Sequence, residues 1–138
     1  MKKSRTIFIS DLHLCPSEPH LGDLFLQFLN TEAIDCDALY ILGDFFEAWV
    51  GDDNPSSFSQ DIIKGLHEFS QTNTPCYFIH GNRDFLIGKQ FSAETGVHIL
   101  NDPTAITLYG KNYLICHGDY LCIDDVSHQR FRKVYLNT

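Results

Sequence analysis

The sequence predicts an α/β domain whose sheet begins parallel and whose end turns to a β-hairpin pattern. Three observations carry this expectation. Short apolar runs rich in β-branched and aromatic residues alternate with segments of helical spacing through the first three units. The alternation then gives way to closely spaced short strands. Polar, chemistry-bearing residues gather where each apolar run stops.

Residues 6–10 form the first buried strand. Leu21, Leu24, Phe25, Phe28 and Leu29 repeat at helix spacing. Residues 38–42 are a second buried strand, ended by Gly43. Phe58, Ile62, Ile63, Leu66 and Phe69 mark a second helix, opened by Pro55-Ser56-Ser57 and closed by Gln71-Thr72-Asn73. A third strand over 76–79 precedes a short helix over 85–95 that Gly96 stops. Strands over 97–100, 105–109 and 113–116 follow, with Gly110-Lys111-Asn112 as the hairpin turn. Residues 124–136 read as the start of another helix, which meets the end of the sequence without a stop signal.

At 138 residues, 43% hydrophobic and 13% aromatic, the chain fits one domain able to bury a core. A net charge of −8 argues against non-specific nucleic-acid binding, which rests on neutralising phosphates with Lys and Arg. The surplus of Asp suits a cation site instead. The cysteines (Cys15, Cys36, Cys76, Cys116 and Cys122) are odd in number and form no CxxC pair, so a reducing compartment is expected. The basic start is followed by an apolar run broken at once by Asp11 and His13, which reads as a strand, not a signal peptide. No apolar stretch approaches the ~20 residues of a membrane span.

In open α/β sheets, ligands bind beyond the carboxyl ends of the strands. The strand ends here deliver Asp11-Leu12-His13, Gly43-Asp44, His80-Gly81-Asn82-Arg83-Asp84 and His117-Gly118-Asp119. A carboxylate two residues from an imidazole puts both on one face of an extended chain and suits Mn, Fe or Zn. Gly43 and Gly81 permit tight turning or close approach before Asp44 and Asn82. Asp44 follows a buried strand, where an unpaired carboxylate is costly without a cation. Arg83 is placed to hold phosphate oxygens bidentately. Two metals about 3.5–4 Å apart can activate a water and clamp a transferring phosphoryl group.

Singly, each element has a plainer reading. Asp-Leu-His can cap a turn, Gly-Asp is common, Gly81 to Asp84 can form a turn and helix cap, and His117 can be a hydrogen-bonded core residue. Their joint occurrence, in order and each at a strand end, favours one site. His20, His67 and His98 lie outside that set and read as surface groups. His80 reads as structural or as a support for the site. Asp52-Asp53-Asn54 lacks the pattern of a calcium loop and reads as solvated. Phe45, Phe46 and Trp49 read as core or pocket wall.

These segments resemble the motif series of calcineurin-like metallophosphoesterases. The longer matches, residues 10–15, 39–49, 77–86 and 117–125, resemble the branch that acts on UDP-2,3-diacylglucosamine. The resemblance implies an αββα sandwich, of which this chain holds the N-terminal part. It implies a two-manganese centre that cleaves the pyrophosphate bond to give 2,3-diacylglucosamine 1-phosphate and UMP, a step of lipid A synthesis. The expected setting is the cytoplasm, peripheral to the inner membrane, with a nucleotide-linked glycolipid as the partner. Asp11 and His13 would bind the first metal, Asp44 would bridge, and Asn82 and His117 would bind the second. Arg83 would contact the substrate phosphates and share the catalytic role with Asp44. Asp125 and Arg132 would meet the sugar and phosphate region.

The family closes its site with a Gly-His-x-His segment, one histidine per metal, and no such segment occurs in this sequence. The expectation is therefore one metallophosphoesterase domain over residues 1–138, incomplete at its C-terminus. The other readings are a catalytically silent portion of that enzyme and a different metal-dependent phosphodiesterase.

Overall fold

The computed structural model describes residues 5–47, 49, 56–81 and 86–117. Four parallel strands, β1 (Thr6–Ile9), β2 (Ala38–Leu42), β3 (Cys76–Ile79) and β4 (His98–Leu100), pair in sequence order. The helices α1 (Pro19–Thr31), α2 (Ser57–Ser70) and α3 (Lys89–Thr95) fill the crossovers. Because βαβ crossovers share one hand and the strand order advances in one direction, all three helices lie on the same face. An antiparallel hairpin, β5 (Thr104–Leu108) and β6 (Lys111–Ile115), forms a second sheet. Mixed parallel and antiparallel sheets with flanking helices are the architecture that the resemblance implies.

Period-two alternation in the central strands divides the interior into two cores. Leu39, Ile41, Cys76 and Phe78 face the helices, where Phe25 and Leu29 of α1, Ile62 and Leu66 of α2, and Phe91 of α3 meet them. Tyr40, Leu42 and Ile79 point the other way, towards Ile106, Ile115 and Cys116 of the hairpin segment. On that second face Phe8, Tyr40, Tyr77 and His98 occupy one rung across all four strands. Phe8 and Tyr40 stack at 4.9 Å, Tyr40 and Tyr77 at 4.7 Å, and the Tyr77 and His98 rings lie 5.4 Å apart.

The helices follow their local chemistry. Pro19 opens α1 with its fixed φ. Ser56 caps α2, its hydroxyl accepting the Ser59 N–H at 3.1 Å. Gly96 ends α3 in the left-handed region at φ 80°. The expected helix over 85–95 is shortened, since residues 86–88 are not helical and α3 starts at Lys89. Gly88 is extended there, and the preceding Ile87 carbonyl accepts from His80 Nε2 at 2.5 Å. The predicted helix over 124–136, the Asp52-Asp53-Asn54 loop and Cys122 lie outside the described residues. Cys15, Cys36, Cys76 and Cys116 form no disulfide among the described residues. Among the described residues, no helix is long and apolar enough to cross a membrane.

The hairpin turn is tighter than the sequence pattern indicates. Leu108 pairs with Lys111, so the loop is Tyr109-Gly110, and both residues take positive φ (53° and 81°). That is the geometry of a two-residue hairpin whose twist matches its strands. Tyr109 tolerates it because its hydroxyl is held: it donates to Asp37 Oδ2 at 2.7 Å and accepts from Thr6 Oγ1 at 2.8 Å. The turn is thereby tied to the starts of β1 and β2.

Phe78 is fully buried, with its ring 6.4 Å from Phe45 and 6.2 Å from Phe91. Phe78→Ala is expected to cost about 3–5 kcal/mol, read by urea unfolding. Burial, with Tyr77 and Tyr109 nearby, pushes the Tyr40 hydroxyl up from 10.0 to about 12. The unfolded chain releases that proton first as pH rises. Tyr40 therefore contributes stability that is full below pH 10 and lost between 10 and about 12. Alkaline denaturation of Tyr40→Phe against the parent checks this, with the variant expected to lose less stability across that window.

Candidate metal centre

The backbone ladder between β1 and β2 does not stop where the strands end. Asp11 N–H donates to the Gly43 carbonyl at 3.1 Å, His13 N–H to Asp44 at 3.0 Å, and Leu14 N–H to Phe45 at 2.8 Å. The exits of both strands are thus zipped side by side. Asp11, His13 and Asp44 come together as a result, each offering one ligand atom, all within 4.8 Å of one another.

The geometry is held against a local preference. Asp11, His13 and Asp44 all sit at positive φ (58°, 51° and 49°), as does Gly43 at 89°. The left-handed region costs a non-glycine residue roughly 1–2 kcal/mol. Three such residues on one rim is the kind of clustering that marks functional sites.

His117 joins from the second sheet. Its Nδ1 lies 2.8 Å from the Leu42 carbonyl. A carbonyl can only accept, so Nδ1 carries a proton and Nε2 is left facing Asp44 Oδ2 at 3.3 Å. A neutral ring would set two lone pairs against each other there. A proton shared with Asp44, or a metal ion, relieves that clash. The donor set of two carboxylates and two imidazoles suits a divalent ion of the Mn, Fe or Zn type, so the residues present fit such a group.

The two glycines work by close approach. A Cβ on Gly43 would run into the His117 ring, and one on Gly81 would run into the backbone and carboxylate of Asp44. Asp44 and His117 consequently form the closed side of the site, with side chains only 12% and 7% exposed. Asp11 and His13 form the open side at 54% and 36%.

Of the residues that the motifs single out, Asp11, His13, Asp44 and His117 are brought to one rim. Asn82, Arg83, Asp125 and Arg132 lie outside the described residues. His80 is a support that fixes the segment after β3 through Ile87, and His20, His67 and His98 are exposed. Phe45, Phe46 and Trp49 belong to the helix-side core. Glu47 is not among the residues that motif reading selects, yet its Oε2 lies 3.4 Å from His13 Nδ1. Its only local signal is a carboxylate three positions after Asp44.

A family model for calcineurin-like phosphoesterases matches residues 4–137. A UDP-2,3-diacylglucosamine hydrolase from Histophilus somni is 50% identical over 133 residues, covering 96% of this chain and 56% of that protein. Proteins of the same name from Yersinia pseudotuberculosis and Escherichia coli are each 52% identical, over 93% and 92% of this chain and 53% of their own lengths. The chain therefore spans about half the length of the curated relatives it matches. Two solved structures share the fold. A protein of unknown function from Aquifex aeolicus has a TM-score of 0.57 at 19% identity, covering 98% of this chain and 74% of that one. The Pseudomonas putida nuclease MPE has 0.53 at 18% identity, covering 73% and 50%.

Gly81→Ala is expected to lower divalent-metal affinity by roughly 10–100-fold, as loss of an outer support does. Manganese titration by calorimetry, with circular dichroism to verify folding, reads the effect.

Proposed function

This chain belongs to the calcineurin-like phosphoesterase family, and from that premise we propose that its strand-end cluster is the core of a two-manganese centre. We propose further that the centre hydrolyses the pyrophosphate bond of UDP-2,3-diacylglucosamine, giving 2,3-diacylglucosamine 1-phosphate and UMP. The observation that carries the substrate is the 50–52% identity to proteins of that name over 92–96% of this chain. The pairing of the β1 and β2 exits supports the chemistry.

In this reading Asp11 and His13 would hold one cation and Asn82 and His117 the other, with Asp44 shared between them. When bound, the ions supply an acidified water and neutralise charge on the phosphoryl oxygens. Asp44 is suited to bridging because its two carboxylate oxygens have separate neighbours, Oδ1 close to Gly81 and Oδ2 at 3.3 Å from His117 Nε2. His117 presents Nε2 because the Leu42 carbonyl claims Nδ1–H. Arg83 orients the phosphates, and Asp125 and Arg132 meet the sugar-phosphate region. The exposed side at Asp11 and His13 is where a large glycolipid headgroup can enter. The proposed setting is the cytoplasmic surface of the inner membrane, where such a substrate resides.

The test is UMP release from UDP-2,3-diacylglucosamine with manganese, run beside bis(p-nitrophenyl) phosphate and an Asp44→Ala control. UMP release that falls to background in the control, with little cleavage of the plain diester, is the expected result. Preferential cleavage of the plain diester would instead assign a general phosphodiesterase. Metal analysis of the same preparations is expected to give two manganese ions per chain, lost in Asp44→Ala.

A further inference from the structure

We infer that Glu47 is a positioning residue for His13, fixing which imidazole nitrogen faces the cation site; the inference rests on the metal-centre reading above. The two ring nitrogens of His13 have different neighbours. Nδ1 faces Glu47 Oε2 at 3.4 Å, and Nε2 faces Asp11 Oδ1 at 3.8 Å. Both neighbours are carboxylates that can only accept, and Glu47 is the nearer, so it favours a proton on Nδ1 and leaves the Nε2 lone pair on the Asp11 side. A ligand imidazole needs its other N–H held in this way. Such partners fix the ring and raise its basicity.

The placement of Glu47 is built into the backbone. The loop after β2 runs beside the loop after β1, with Leu14 and Phe46 bridged in parallel. Leu14 N–H donates to Phe45, and Glu47 N–H donates back to the Leu14 carbonyl at 2.9 Å. Glu47 is therefore anchored to the residue next to His13, while Phe45 and Phe46 lock the same loop into the core. One short loop thus carries a bridging carboxylate at Asp44 and an orienting carboxylate at Glu47.

A second relation supports the assignment. His117 has its Nδ1–H claimed by the Leu42 carbonyl and its Nε2 directed at Asp44. Glu47 gives His13 the same polarity by a different acceptor. Both imidazoles then present Nε2 to the rim, one braced by a main-chain carbonyl and the other by a side-chain carboxylate.

The experiment compares the parent chain with Glu47→Ala, Glu47→Gln and Glu47→Asp. Nitrogen NMR of the His13 imidazole in metal-free protein reads the tautomer, and calorimetric manganese titration reads affinity. The parent should show the Nδ1–H tautomer. Glu47→Ala should lose that preference and bind manganese roughly 10–100-fold more weakly, with its thermal unfolding unchanged. Glu47→Gln keeps an acceptor oxygen and should keep the tautomer with a smaller loss of affinity, and Glu47→Asp should recover part of both. An unchanged tautomer or an unchanged affinity in Glu47→Ala overturns the inference while leaving the metal centre standing. Absence of manganese binding in the parent chain overturns the metal-centre reading, and this inference with it.

Discussion

The rest of the site depends on the main-chain pairing that carries on past the ends of β1 and β2. Three N–H groups, of Asp11, His13 and Leu14, are satisfied by carbonyls of the neighbouring exit. Without that register, the side chains of Asp11, His13 and Asp44 would project from separate loops. With it, they share a rim, at the cost of three backbone conformations that non-glycine residues avoid. The core supplies what holds this strained stretch in place, because Leu14, Phe45 and Phe46 are all nearly fully buried directly beside it. Apolar packing and polar geometry are interleaved along the same few positions.

The second layer follows from sterics. Gly43 and Gly81 leave no room for a methyl group, so the His117 ring and the Asp44 carboxylate can sit directly against neighbouring backbone. This closeness keeps Asp44 and His117 on the dry side of the site and leaves Asp11 and His13 to solvent. A low-dielectric wall on one side and an open approach on the other strengthens any charge held between them.

Much of this was legible in the residue pattern, and the gaps have physical causes. The parallel strands show as short, continuous apolar runs and the two long helices as helical spacing, so their existence and type can be read directly. The polar groups at strand ends were readable because a buried parallel strand is apolar along its length, so Asp or His at its carboxyl end marks the rim where ligands bind. The hairpin turn was misplaced by a residue or two because Tyr109 is no turn residue by type. It is kept at positive φ by Asp37 and Thr6, 72 and 103 positions away in sequence. The apolar spacing puts the start of α3 too early because Gly88 is extended and the Ile87 carbonyl is engaged by His80, neither of which helix periodicity reports. Glu47 was missed for the same reason as Tyr109: its role exists only once two loops are paired. The glycines were recognised as permissive residues, but what they make room for required the fold.

His117 stands 75 residues beyond the carbonyl that orients it. A nascent chain therefore carries Asp11, His13 and Asp44 long before the closed wall of their pocket exists. Until the hairpin docks, a cation arriving at those three groups meets water on the side where His117 later stands. In the proposed centre, the His117 side of the ligand set would therefore be complete only once β6 is seated.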